Sequence, residues 1–250
     1  MTTVQQTLSK LRQLKLAGMV AAYEIQFDQP NLHRGSFDER FAMIVDHEAS
    51  ARDTRRLTKL IRGGGFPEPA SLEDLDTAAA RKLDRELIST LSTCEWIRRQ
   101  QNLIIAGATG VGKTWLCCAF GVQACRQGLT VQYHTAVSLF GDIATAMADG
   151  SIVSLKTRLI RPAVLVIDDL GNGEVTLPIG HVLLDVIDRR MRTGSLILAS
   201  QYPREAWHGF FPDPTMADAL LDRVVHQAHR LELKGESLRK VYARKRMAKC

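Results

Sequence analysis

At 250 residues and 45% apolar side chains, the chain can hold one large domain or a small one with a medium one, and its composition is ordinary for a globular protein. No run approaches the roughly 18 consecutive apolar residues of a membrane span, and the stretch MTTVQQTLSKLRQLKL lacks the apolar segment of a secretory signal, so a cytoplasmic protein without a membrane partner is expected. The net charge of +6 is concentrated: residues 234–250 carry seven basic side chains against the single acid Glu236, which accounts for the whole excess and makes the tail attractive to phosphate backbone.

The expected elements begin with helices. Val4, Leu8, Leu11 and Leu14 recur at helical spacing, and Phe37, Phe41 and Ile44 do so in a second segment beyond Gln29-Pro30-Asn31. Residues 1 to about 62 are therefore expected to be wholly helical. The last of these helices carries Arg52, Arg55, Arg56, Lys59 and Arg62 on one face, interrupted only by Asp53. Such a face can follow a phosphate backbone, or it is simply a solvated helix surface. Arg62-Gly63-Gly64-Gly65-Phe66-Pro67 should end the helix. The border is placed there, between a helical domain of residues 1–65 and a second domain of residues 66–250.

Further helical segments are expected near 75–100. Beyond them, strands at 102–106, 130–134, 163–168, 195–200 and 229–233 alternate with helices near 113–127, 136–148, 177–192 and 215–227. Strands separated by helices imply an α/β fold, a parallel sheet with helices on both faces. The five cysteines form no CxxC pair, and Cys117, Cys118 and Cys125 share the helix after the first strand, which fits buried free thiols rather than a metal or disulfide site.

Residues 107–114 read GATGVGKT and carry the chemistry. Gly107, Ala108, Thr109, Gly110, Val111 and Gly112 would wrap backbone N–H groups around nucleotide phosphates. Lys113 would reach the β/γ-phosphates, and Thr114 would offer its hydroxyl to Mg2+. The apolar run Asn102–Ala106 before the loop and the helix-compatible residues after it supply the strand–loop–helix setting this motif needs. The run Ala163–Ile167 delivers Asp168 and Asp169 to the C-terminal edge of a buried strand, where open α/β sheets bind ligands. Asp168 would hold Mg2+, and Asp169 would polarise an attacking water. A third apolar strand, from Leu196, ends in Ser200 and Gln201. Gln201 is the candidate for contacting the γ-phosphate or its water, with Ser200 as the alternative. Arg223 is expected at mid-helix in a later helix, where its plainer alternative is an intrahelical ion pair, for example with Asp218 or Asp222. His226 and His229 have no third ligand at a recognisable spacing and are expected to be ordinary helix-end histidines.

GATGVGKT, AVLVIDDL, LILASQ and the stretch ADALLDRVVHQAHRLELKGESLRK together resemble the AAA+ P-loop NTPases. More closely, they resemble the IstB-like helper ATPases of insertion-sequence transposons, in the clade that also contains DnaC-type helicase loaders. The resemblance runs from the N-terminal helices to Lys240, and its specific part is the segment from Asp213 to Arg239. It implies a three-layer αβα ATPase that hydrolyses ATP with Mg2+, assembles as a ring or filament on double-stranded DNA, and recruits a transposase. The helical N-terminal domain would serve self-assembly and partner contact. The resemblance also implies that Arg223 reaches a neighbouring subunit's γ-phosphate, with Arg189 and Arg190 as weaker candidates. An extra helix between Gly141 and Arg161 would line the DNA, bringing Lys156, Arg158 and Arg161 to phosphates.

Two departures stand out. Asp169 is one methylene shorter than the Glu of most relatives, which predicts slow unaided hydrolysis. The stretch after Arg223 is too short for the usual helical lid, leaving Arg239 to imitate its sensing arginine. The alternatives are a DnaC-like helicase loader, a small-molecule P-loop kinase and a non-catalytic DNA-binding module that uses ATP as glue. A GTPase is disfavoured because no Asn-Lys-x-Asp motif occurs.

Overall fold

The computed structural model describes residues 3–28, 35–75 and 83–238. The chain divides into two compact units, Met1–Lys59 and Leu60–Cys250.

The first unit contains α1 (Thr3–Gln13), α2 (Ala17–Asp28) and most of α3 (Phe37–Gly64). The periodic pattern through Leu14 suggests no interruption there, yet the helix breaks at Lys15, whose φ is 59°. Leu16 N–H donates back to Leu11 O at 2.9 Å, which closes α1 in the left-handed manner usual for a helix C-terminus. The break at Gln29-Pro30-Asn31 lies outside the described residues. At Gly18 a side chain would meet Glu48 Cα at 2.7 Å, so α2 and α3 approach closely there. The Glu48 carboxylate is buried and accepts the N–H groups of Gly18 at 2.7 Å and Met19 at 3.1 Å, capping the positive end of α2. α3 runs through Gly63 and ends at Gly64, within the Arg62–Pro67 segment expected to stop it, and Gly65 follows at φ 69°.

The second unit is built on a five-stranded sheet: β1 (Asn102–Gly107), β2 (Val131–Thr135), β3 (Val164–Asp168), β4 (Ser195–Ser200) and β5 (Ala228–Leu233). The order is β2-β3-β4-β1-β5 and every pairing is parallel. Each expected strand is present within a residue of its expected bounds. Of the expected helical stretch near 75–100, α4 (Arg85–Ser92) and α5 (Glu95–Arg98) are formed, with a 3-10 turn at Leu72–Asp74 just before it, while residues 76–82 are outside the described set.

The central strands are buried on both faces and read as continuous apolar runs for that reason. One face carries α6 (Lys113–Arg126). The other carries α7 (Ala136–Ala148), α8 (Ile152–Ile160), α9 (Leu177–Arg190) and α10 (Pro214–Val225), whose apolar sides form one core with Leu165, Ile167, Leu196 and Leu198. This is the three-layer P-loop arrangement expected. α8 is the extra helix expected between the second and third strands. Cys94, Cys117, Cys118 and Cys125 are buried and free, and burial pushes the Cys118 thiol up to about 12 and those of Cys94 and Cys125 to about 11.

Arg190 is the largest charged group in this core, only 1% exposed. Its guanidinium donates to the carbonyls of Leu159 at 2.8 Å, Ile160 at 3.1 Å, Pro162 at 2.9 Å and Ser195 at 2.7 Å, tying the end of α8 to the start of β4. Burial lowers its pKa to about 10, leaving it charged at neutral pH. Replacing it strands several buried carbonyls at once. Arg190→Ala is expected to lower unfolding free energy by about 3 kcal/mol, read as a drop in the urea midpoint with an unchanged slope.

Candidate functional site

β1 ends at Gly107, and the chain turns through residues 108–112 into α6. The turn needs backbone space and positive φ: Gly110 has φ 83° and Gly112 has φ 99°. At Gly107 a Cβ would stand 2.5 Å from Leu233 O, at the end of β5. Val111 is buried and pins the loop to the core. Lys113 begins α6 and is 6% exposed. Its ammonium donates to Gly107 O at 2.9 Å and Ala108 O at 3.1 Å, so it closes the loop on itself. Thr114 is half-buried in the same first helical turn.

The segment after β5 also touches this loop. Leu238 N–H donates to Gly110 O at 2.9 Å, and Ser237 packs against Gly110. Sequence reading ties this Gly-Glu-Ser-Leu segment to the family resemblance but not to the phosphate loop. Arg239 and the basic tail beyond it lie outside the described residues.

β3 delivers Asp168 to the same edge, with 0% exposure. Its Oδ1 accepts the Asp169 N–H at 2.8 Å, and its Oδ2 accepts the Tyr133 hydroxyl at 2.8 Å. Burial and the Asp168 charge push the Tyr133 phenol far above its ordinary range, so it remains a donor. Asp169 adopts a left-handed conformation with φ 56° and is half-buried at the start of the following turn.

β4 supplies the third part. Ser200 is buried and donates to Leu170 O at 2.6 Å, so its hydroxyl fastens the turn after β3 rather than facing a ligand. Gln201 bridges two segments: Thr109 donates to its Oε1 at 2.5 Å, and its Nε2 donates to Asn172 Oδ1 at 3.0 Å. The amide thus spans from the phosphate loop to the turn after the acids. Tyr133 and Asn172 are the site residues that motif reading misses. Only strand register reveals Tyr133, and only the path of the turn reveals Asn172.

Arg223 is elsewhere. It sits in the last turn of α10, not mid-helix, and pairs with Asp188 of α9 instead of Asp218 or Asp222. It also donates to Ala219 O at 2.6 Å. With Asn102, Gly194 and Leu196 it lines a cavity of about 140 Å³. Those residues mark the starts of β1 and β4, whereas the phosphate loop follows the end of β1. About 17 Å of strand, at roughly 3.3 Å per residue, separates the two edges. Of the weaker candidates, Arg190 is buried among carbonyls and Arg189 pairs with Asp185 at 2.9 Å. His226 caps α10 and His229 lies in β5, so the two do not share a helix.

The basic stripe is partly neutralised. Glu48 receives Arg52 at 2.8 Å and Arg55 at 3.2 Å, and the Arg52 contact holds the carboxyl of Glu48 below its ordinary range. Arg56 and Lys59 stand exposed on α3. In the second unit Lys156 pairs with Asp185 at 2.8 Å, while Arg158 and Arg161 are exposed at the end of α8.

The donor set at the first edge suits a hard, octahedral cation: one carboxylate and one hydroxyl, with phosphates and water completing the shell. Among the described residues no cluster of three His, Cys, Asp or Glu side chains exists that would hold a metal without phosphate.

The family model described as IstB-like ATP binding protein matches residues 9–246. An insertion-sequence ATP-binding protein of Sinorhizobium fredii is 38% identical over 235 residues, covering 94% of this chain and 95% of that protein. The ATP-binding protein of insertion sequence IS1162 from Pseudomonas fluorescens is 44% identical over 200 residues, covering 80% of this chain and 87% of that protein. Among solved structures, the crystal structure of DnaI aligns with a TM-score of 0.57 at 18% identity, over 71% of this chain and 94% of that one, a likeness of fold.

The tight approach of Leu233 to Gly107 yields a test of the loop. Gly107→Ala is expected to weaken nucleotide binding by at least about tenfold, since strain of this kind costs on the order of 1–3 kcal/mol. Titration with a fluorescent ATP analogue reads the loss, and unchanged affinity would show that the loop tolerates the side chain.

Proposed function

This chain belongs to the family of IstB-like ATP-binding proteins, and on that premise we propose that it is a Mg2+-dependent ATPase that assembles on double-stranded DNA and recruits a transposase for insertion-sequence transposition. The observation that carries the reading is the split between two edges of one sheet. Lys113, Asp168 and Gln201 converge at one edge, and Arg223 stands at the other.

In this reading the loop amides of residues 107–112 and the N-terminus of α6 take the phosphates. Lys113 exchanges the carbonyls of Gly107 and Ala108 for phosphate oxygens. Thr114 and Asp168 hold Mg2+, which neutralises phosphate charge when bound. Gln201 gives up its Thr109 contact to orient the γ-phosphate or the attacking water, and Asp169 polarises that water. Arg223 cannot serve its own site across the sheet, so it completes a neighbour's, leaving Asp188 to do so. ATP then favours a ring or filament of copies, and the arriving transposase triggers hydrolysis.

For DNA, the exposed Arg56, Lys59, Arg158 and Arg161 are the stronger phosphate contacts. Arg52, Arg55 and Lys156 contribute less because each already faces a carboxylate. Residues 1–65 are assigned to self-assembly and partner contact and residues 66–250 to nucleotide chemistry. Among the described residues no helix is long and apolar enough to cross a membrane.

Lys113→Ala should abolish ATP-dependent assembly on DNA, observed by electron microscopy of the protein with duplex and ATP; normal assembly by the mutant sinks the mechanism. Arg223→Ala should keep ATP affinity within about twofold while DNA-stimulated phosphate release falls on the order of a thousandfold. Unchanged turnover removes Arg223 from the site. A replicative helicase co-purifying in place of a transposase would redirect the partner assignment.

A further inference from the structure

We propose that Tyr133 is the positioning residue for the Asp168 carboxylate, fixing it to receive the Mg2+ that accompanies the nucleotide; this rests on the role given to Asp168 above. Asp168 is fully buried, and among the described residues no ion pair reaches it. A desolvated carboxylate needs donors, and each has a definite place here. The Asp169 amide binds Oδ1 at 2.8 Å and the Tyr133 hydroxyl binds Oδ2 at 2.8 Å. One donor on each oxygen fixes both the tilt and the plane of the group and leaves each oxygen further acceptor capacity. The Lys113 ammonium donates to the loop carbonyls of Gly107 and Ala108.

Strand register explains how an unremarkable tyrosine reaches the acid. Thr135 pairs with Asp168, and Tyr133 pairs with Val166. Tyr133 therefore lies two residues back on the same face of the neighbouring strand, a diagonal that only a long side chain spans. β2 is an edge strand, and any β-forming residue would serve its pairing. The hydroxyl adds nothing to that pairing; among the described residues it donates to Asp168. A donor behind a metal-holding carboxylate typically changes metal affinity by about 10–100-fold.

Tyr133→Phe removes one oxygen and keeps the ring. In the full chain, binding of a fluorescent ATP analogue is titrated with Mg2+ and, separately, measured in EDTA. The expected result is a half-saturating Mg2+ concentration raised by about tenfold, with affinity in EDTA within about twofold of the parent. An unchanged Mg2+ midpoint overturns the proposal. So does an equal loss in both arms, because a merely structural tyrosine would weaken nucleotide binding with or without the metal. Asp168→Asn run in parallel separates the two levels. If it leaves the Mg2+ midpoint unchanged, the role of Asp168 itself falls and Tyr133 falls with it. If it raises the midpoint while Tyr133→Phe does not, only Tyr133 loses its role.

Discussion

The insertion of β4 between β1 and β3 is the constraint on which the rest of the second unit depends. The phosphate loop leaves β1 and the acid pair leaves β3, so the two never share a strand pairing. Whatever emerges from β4 must stand between them. Leu170 N–H donates to Ala199 O at 2.8 Å and Ser200 returns a bond to Leu170 O, which welds the turn after the acids to the end of β4. Gln201 then follows with no freedom to be elsewhere, and it touches both flanks. A parallel sheet delivers all these groups to one edge because every strand points the same way.

The polar groups at that edge are satisfied internally. Lys113 rests on carbonyls of its own loop, Gln201 on Thr109 and Asn172, and Asp168 on Tyr133. Buried polar groups need partners, and on the proposed reading these internal bonds are the ones a nucleotide would exchange. Nucleotide binding on this reading is an exchange of bonds, and its net strength is the difference between two satisfied states.

Much of this was legible from residues alone, and the remainder has physical reasons for being hidden. The apolar runs of β1, β3 and β4 are continuous because both faces are covered, and continuous runs ending in Gly, Asp or Gln are easy to see. Tyr133 was invisible because its contact is a cross-strand diagonal, fixed only when register is known. Lys15 was missed because a non-glycine in the left-handed region carries no compositional mark. The arginine stripe on α3 is real in spacing, but Glu48 sits one turn before Arg52 and takes both Arg52 and Arg55 while capping α2. A one-dimensional count of charges cannot tell a free cation from one already committed. Arg223 shows the same limit: its partner Asp188 lies 35 residues away on α9, beyond any local pattern.

The separation of Arg223 from the phosphate loop has a consequence for the symmetry of any assembly. On the proposed reading, a subunit offers its arginine at one end of the sheet and its nucleotide at the other, which suits a head-to-tail series of copies. Repeated head-to-tail contacts would close into a ring or run on as a helix. An open chain of such copies would have a direction, with a first subunit whose arginine stays on Asp188 and a last whose site is unfinished. In such an assembly, growth and decay at the two ends would differ in rate for that reason alone.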